Sequence, residues 1–273
     1  MIVTDKVALV LGAVKGIGKE IGLELARQGA KLVLTRHDWA DSFASMERDF
    51  AAAGAEHTIE TMDLRQTGNI ATLIKGIKER YGRIDILVNN IERGGWPVVH
   101  GEYIQDQWDL ELETTLRTKR WILNEAMPLL LQAQEAAVIN FSSVAALTGR
   151  SGPSALLFND GYSAACRGVS SLTETYARIG APSVRVNEIM LGVFESRHAQ
   201  GTRGWEEVLS DDEKQAIIDH IPAGRTGSLE DAVKACMFLI KDAPYMTGSI
   251  LRLDGGYVLG GEKVPPMPKG IET

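Results

Sequence analysis

Three features of the chain predict an α/β fold built on a doubly wound parallel sheet in a single domain. Short apolar runs alternate with longer amphipathic stretches from one end to the other, the pattern of parallel strands joined by helices. A glycine-rich turn, Gly12-Ala13-Val14-Lys15-Gly16-Ile17-Gly18, links the first apolar run to the first amphipathic stretch. The 273 residues, 44% hydrophobic and 24% charged, have an ordinary globular composition and suffice for one large core.

The elements follow in order. Lys6 to Leu11 is a continuous apolar run with β-branched residues, as expected of a buried parallel strand. Ile17, Ile21, Gly22, Leu25 and Ala26 share one face of a helix that stops at Gly29. Strands are predicted at Lys31–Thr35, Thr58–Asp63, Ile84–Val88, Ala137–Phe141, Val184–Ile189 and Ser249–Leu253. Helices are predicted over 39–53, 67–81, 105–132, 161–179 and 227–241. Two segments fall outside the alternation. Residues 193–222 include Trp205 and a capping box, Ser210-Asp211-Asp212-Glu213, and are expected to cover a substrate cleft. The tail 257–273 carries Gly260-Gly261 and Pro265-Pro266-Met267-Pro268, which exclude regular helix and central strand.

Composition narrows the function. A net charge of −7 argues against nucleic acid or an anionic membrane as partner. Two cysteines, Cys166 and Cys236, form no disulfide framework and suit a reducing, cytoplasmic setting; no signal peptide or membrane-spanning run is visible. His37, His57, His100, His198 and His220 lack metal-ligand spacing, so no metal is expected. The glycine turn is the informative motif. Backbone N–H groups at a helix N-terminus carry partial positive charge and contact a pyrophosphate where no side chain intervenes. Gly12 permits the turn, Gly16 lets the backbone approach the phosphates, and Gly18 lets the helix lie close on the strand.

Further motifs share a family pattern. Asp63-Leu64 follows the third strand, Asp85-Ile86-Leu87-Val88-Asn89-Asn90 forms the fourth, and Asn140-Phe141-Ser142-Ser143 ends the fifth. Tyr162-Ser163-Ala164-Ala165, Arg185-Val186-Asn187 with Gly192, Gly224-Arg225-Thr226-Gly227, Tyr245-Met246-Thr247-Gly248 and Asp254-Gly255-Gly256 follow in order. With them the chain resembles the short-chain dehydrogenase/reductase family over nearly its whole length. The resemblance implies a Rossmann-like fold, a nicotinamide cofactor, a small-molecule substrate and a homodimer or homotetramer. It implies cofactor contacts at Gly12, Lys15, Gly16, Ile17 and Gly18, with Asp63 and Leu64 at adenine and Asn89 behind the nicotinamide-side ribose. It assigns Ser143 to orient the substrate oxygen and Tyr162 to transfer the proton.

Two cations sharpen the cofactor. Where NAD-preferring members carry an acid after the second strand, this chain has Arg36, and Lys15 sits inside the turn. Both suit a 2′-phosphate, which predicts NADP(H) over NAD(H). The catalytic pattern departs from the family. The lysine expected four residues after the tyrosine is Cys166, and the expected asparagine of the long helix is Thr115. Glu92 and Arg93 replace the Ala-Gly end of the Asn-Asn-Ala-Gly motif, and Leu191 stands in place of a proline. Lys119 is the only lysine between Lys78 and Lys214, hence the sole candidate for a migrated partner. The competing reading is a non-catalytic dinucleotide-binding homologue.

Overall fold

A computed structural model describes residues 1–92, 105–195, 205, 209–262 and 264–265. Seven parallel strands form one sheet: β1 (Val7–Leu11), β2 (Lys31–Arg36), β3 (His57–Thr61), β4 (Ile86–Asn89), β5 (Ala136–Ser143), β6 (Val184–Leu191) and β7 (Ile250–Leu253). Their order is β3-β2-β1-β4-β5-β6-β7. The chain runs outward from β1 to β3, then returns to β4 beside β1. That reversal opens a crevice at the carboxyl ends of β1 and β4, where open α/β sheets bind ligands.

Both faces of the sheet are covered, which explains the unbroken apolar strands. Ala8 and Val10 of β1 pack with Ile21 and Leu25 of α1 (Gly16–Arg27), Phe50 of α2 (Phe43–Ala53) and Leu239 of α9 (Leu229–Lys241). Val7, Leu9 and Leu11 point the other way, toward α3 (Thr67–Tyr81), α5 (Thr118–Leu130) and α7 (Asp160–Gly180). A strand with two buried faces cannot show polar alternation.

The predicted long helix from residue 105 has an internal irregularity. α4 (Gln105–Glu111) passes through a π-helical turn (Leu112–Arg117) into α5. Such turns widen a helix by one residue and shift the side chains beyond. The predicted 39–53 helix is shorter than expected: Trp39 takes a left-handed φ of 67°, a 3₁₀ turn follows at Ala40–Ser42, and α2 begins at Phe43.

Between Ser143 and Tyr162 the chain forms α6 (Ala145–Thr148) and a 3₁₀ turn (Pro153–Leu156). These pack with α8 (Asp211–His220) in a separate apolar cluster that includes Phe158, Tyr162, Cys166, Trp205, Ile217 and Tyr257. The Tyr257 hydroxyl ties this cluster together, lying 2.9 Å from Ser154 N and 2.5 Å from Ser154 Oγ. The predicted capping box at Ser210 and Glu213 is present, with both reciprocal hydrogen bonds. Arg93, His100, residues 196–204 (with His198) and 206–208 of the predicted cover, and residues 263 and 266–273 of the tail lie outside the described residues.

Candidate active site

One continuous cleft, with about 1500 Å³ of empty space including open solvent, runs from the glycine turn to the end of β5. Gly12, Val14, Lys15, Gly16 and Ile17 line it at one end, and Ser143, Leu157, Phe158, Leu191 and Trp205 at the other. The turn is built as its glycines require. Gly12 and Gly16 have φ of +70° and +60°, where a side chain brings strain. A Cβ on Gly18 would lie 2.3 Å from the Gly12 carbonyl oxygen and 2.7 Å from Asn90 Nδ2. The first turn of α1 therefore rests directly on the backbone beneath it, its N–H groups left bare for an anion. These residues fit a dinucleotide pyrophosphate.

The adenosine end carries mixed charge. Lys15 Nζ lies 3.7 Å from the Trp39 ring centroid, a cation–π contact. Arg36 lines the cleft and is already engaged, its Nη1 donating to Glu47 Oε1 at 2.6 Å and its Nε to Thr61 Oγ1 at 2.8 Å. Asp63 accepts two bonds from the Arg65 guanidinium, at 2.9 and 2.8 Å, and these hold its carboxyl below the usual carboxylate range. Leu64 is buried in the same wall.

Asn89 and Asn90 divide the end of β4 between them. Asn89 is buried, its Nδ2 donating to Asn140 Oδ1 at 3.2 Å, and Asn140 in turn donates to Thr173 Oγ1 at 3.0 Å. Asn90, which sequence reasoning did not select, is the cleft residue. Neighbouring strand residues face opposite ways, and that alternation was the signal available for choosing between them. Trp39 and Phe158 were also missed, since neither lies in a motif.

At the far end, Ser143 lines the cleft and its Oγ accepts from Ala145 N at 3.2 Å. Accepting that bond leaves the hydroxyl proton to donate to a substrate oxygen. Tyr162 opens α7 over the cap formed by Asn159, whose Oδ1 accepts from Tyr162 N at 2.7 Å. Asn159 also donates to Glu111 Oε1 at 3.0 Å, which ties the start of α7 to α4. The Tyr162 side chain is completely buried and is not part of the cleft wall; its ring packs against Phe158 at a centroid distance of 5.7 Å. Burial first, and then the nearby Cys166 and Glu92, raise its hydroxyl well above an ordinary phenol. Cys166, one turn further along α7, is buried between the Tyr162 hydroxyl and the Ser143 backbone, and burial pushes its thiol up. Thr115 is buried within the π-helical turn.

Lys119 lies in this same interior. It is fully buried, and its ammonium donates to the Ile91 carbonyl. Burial pulls it below the usual lysine range, opposed by its neighbours Glu92, Cys166 and Glu188. Glu188 of β6 accepts at Oε1 from Ser142 Oγ and, at 3.2 Å, from Ser170 Oγ; burial raises its carboxyl.

Known proteins share this architecture. The family model described as enoyl-(acyl carrier protein) reductase matches residues 12–258. The chain is 30% identical to a 1,6-dihydroxycyclohexa-2,4-diene-1-carboxylate dehydrogenase of Acinetobacter baylyi, over 92% of this chain and 95% of the relative. It is 31% identical to a 3-oxoacyl-[acyl-carrier-protein] reductase of Haemophilus influenzae, over 93% and 98% respectively. A solved structure from Sinorhizobium meliloti, assigned as a short-chain alcohol dehydrogenase, superposes with a TM-score of 0.79 at 27% identity. That match covers 95% of this chain and all 100% of the other. A Burkholderia xenovorans structure at 23% identity and a TM-score of 0.78, covering 94% and 99%, shares the fold.

Proposed function

The chain belongs to the short-chain dehydrogenase/reductase family, and from that premise we propose an NADP(H)-dependent oxidoreductase that interconverts a carbonyl and an alcohol on a small molecule. The observation that carries this reading is the single cleft that holds both the glycine turn and Ser143. Both curated relatives bear names that describe redox chemistry at hydroxyl- or oxo-bearing carbon.

Gly12, Gly16, Ile17 and Gly18 would hold the pyrophosphate through backbone N–H groups. Lys15 and Arg36 would meet the 2′-phosphate, and Asp63 and Leu64 the adenine. Asn89 would act from the core, fixing the end of β4 beneath the nicotinamide-side ribose through Asn140. When bound, the nicotinamide supplies or accepts the hydride. Ser143 orients the substrate oxygen, and Tyr162 serves the proton transfer. Leu157, Phe158, Val193, Phe194 and Trp205 give the substrate end an apolar, aromatic lining that excludes water.

Two buried thiols, Cys166 and Cys236, fit a reducing compartment such as the cytoplasm. Among the described residues no helix is long and apolar enough to cross a membrane. Exposed Phe238 on α9 and Ile250 on the outer strand β7 support a homodimer or homotetramer, checked by sedimentation. The competing reading, a cofactor-binding protein without turnover, draws support from the sealed Tyr162 and the thiol at 166. A panel of ketones, diketones and quinones, followed by nicotinamide absorbance beside a binding titration of NADPH, separates the two. Binding with turnover supports the enzyme. Binding with no turnover on any member supports the competitor.

A further inference from the structure

The cleft divides chemically along the sheet. Its lysine and arginine side chains lie over one half: Arg36 ends β2, Arg65 follows β3, and Lys15 sits in the turn after β1 with its ammonium over Trp39. In the order β3-β2-β1-β4-β5-β6-β7, three strand spacings separate the ends of β2 and β5, about 14 Å. Over β4 to β6 the lining changes. Among the described residues of that half, Glu92 is the only charged side chain, and no lysine or arginine accompanies it. Ser143 at the end of β5 shares this half with Leu157, Phe158, Phe194 and Trp205, all four buried.

The aromatic walls are held from three separate segments. A methyl group on Gly227 would overlap the Phe194 ring, so that ring rests directly on the Gly227 backbone. Gly227 N donates to the Val193 carbonyl at 2.9 Å and fastens the same stretch to the end of β6. Phe158 precedes the Asn159 cap of α7, and its N donates at 3.2 Å to the carbonyl of Ser154, which Tyr257 holds. Trp205 packs in the cluster with Leu209, Ile217 and Tyr257. A preformed apolar site of this kind selects by shape and by what it cannot solvate.

We propose that the substrate is an uncharged cyclic ketone, or the matching secondary alcohol, with its ring among Phe158, Phe194 and Trp205 and its oxygen on Ser143. The inference rests on the carbonyl–alcohol reading above and names the substrate class for it. A ring offers faces and edges to the aromatic side chains, whereas a flexible chain loses rotamer freedom on entering. A carboxylate or phosphate there would leave water, meet no cation among the described residues, and face Glu92. In reduction the carbonyl carbon gains a hydride from the reduced nicotinamide, the π pair moves to oxygen, and that oxygen takes a proton. Oxidation of the alcohol is the reverse.

Matched ketones test this on the unaltered protein. With NADPH, kcat/KM for cyclohexanone and 1-tetralone should exceed that for 4-oxocyclohexanecarboxylate by about 100-fold or more. The open-chain 2-hexanone should fall about tenfold below cyclohexanone. Binding is read apart from turnover by calorimetric titration of each ketone into protein saturated with NADP⁺, where no hydride can pass. Trp205→Ala should raise the Kd of cyclohexanone in that complex about tenfold or more and leave the Kd for NADPH unchanged. Trp205→Lys should narrow the gap between 4-oxocyclohexanecarboxylate and cyclohexanone. A parent that takes the carboxylate, or 2-hexanone, as well as cyclohexanone would overturn the class and leave the oxidoreductase reading standing. Ring ketones bound in the NADP⁺ complex but never reduced by NADPH would overturn that reading and leave the ring recognition in place. Neither binding nor turnover of any ring ketone, in a protein that binds NADPH, would overturn both.

Discussion

Arg36 shows how one side chain can be asked to serve two partners. Its guanidinium lines the cleft, stacks 4.3 Å from the Phe43 ring centroid and pairs with Glu47. That pair is exposed on the Glu47 side, so it is worth little and can yield to a 2′-phosphate. Arg36→Asp is expected to weaken NADPH binding by tenfold or more and to equalise or reverse the preference over NADH, read by titrating both cofactors. Cys166 poses the opposite problem, a site with no room for added charge. Cys166→Lys should destabilise the fold by several kcal/mol, because it places a second ammonium in an interior that already holds Lys119. Combining it with Lys119→Met should recover most of that loss, which denaturant titration of the single and double variants measures. The pH dependence of Lys119→Met follows from linkage. The folded state holds Lys119 below its ordinary 10.5, so between those values the unfolded chain binds more protons and stability rises with pH. The stability gained by Lys119→Met should therefore be full below the lowered pKa of the folded state and shrink as pH climbs from there toward 10.5.

At the scale of elements, the joint between β6 and α9 depends on one buried arginine. Arg185 reaches from β6 to the C-terminal end of α9 and donates to the carbonyls of Leu239, Ile240 and Ala243 at 2.8, 2.9 and 3.0 Å. A helix end has unsatisfied carbonyls and partial negative charge, and this cation meets both needs. Arg185→Met is expected to cost about 2–4 kcal/mol, since the carbonyls lose charge-assisted partners without access to water. Chemical denaturation of the variant tests it. The π-helical turn at Leu112–Arg117 matters in another way. It shifts the register of the helix just before Lys119, so where Lys119 points is set by an irregularity that a 3.6-residue wheel does not contain.

Across the whole molecule, cofactor binding should tighten segments that are far apart in sequence. The cleft wall draws on residues 12–17, 35–39, 62–65, 90–92 and 191–194. Saturating NADPH should slow amide exchange in these segments, and adding substrate should slow it further over 209–222, where Leu209, Ile217 and Ile221 pack on the cluster around Tyr162. At a hundredfold excess over Kd the bound state gains about 2.7 kcal/mol, enough to raise Tm by several degrees. A smaller rise with NADH at the same concentration would report the charge preference independently of turnover. Equal exchange over 209–222 in the free and ternary states would mark that segment as a rigid part of the fold.

What the sequence determined by itself was local. Apolar runs, helical faces, Gly12, Gly16 and Gly18, and the Ser210–Glu213 capping box act over a few neighbouring residues, and each has a direct physical reason. Together they sufficed for the doubly wound sheet and for the cleft end that holds the glycine turn. The cleft end that holds Ser143 was decided by tertiary structure. Lys119, Tyr162, Cys166 and Glu188 come from three separate elements, and packing alone brings them into one buried volume. The sequence marked Lys119 as the only lysine within reach, yet neither its complete burial nor the sealing of Tyr162 behind Phe158 is written in any spacing. Desolvation depends on every neighbour at once, and so it belongs to the folded chain.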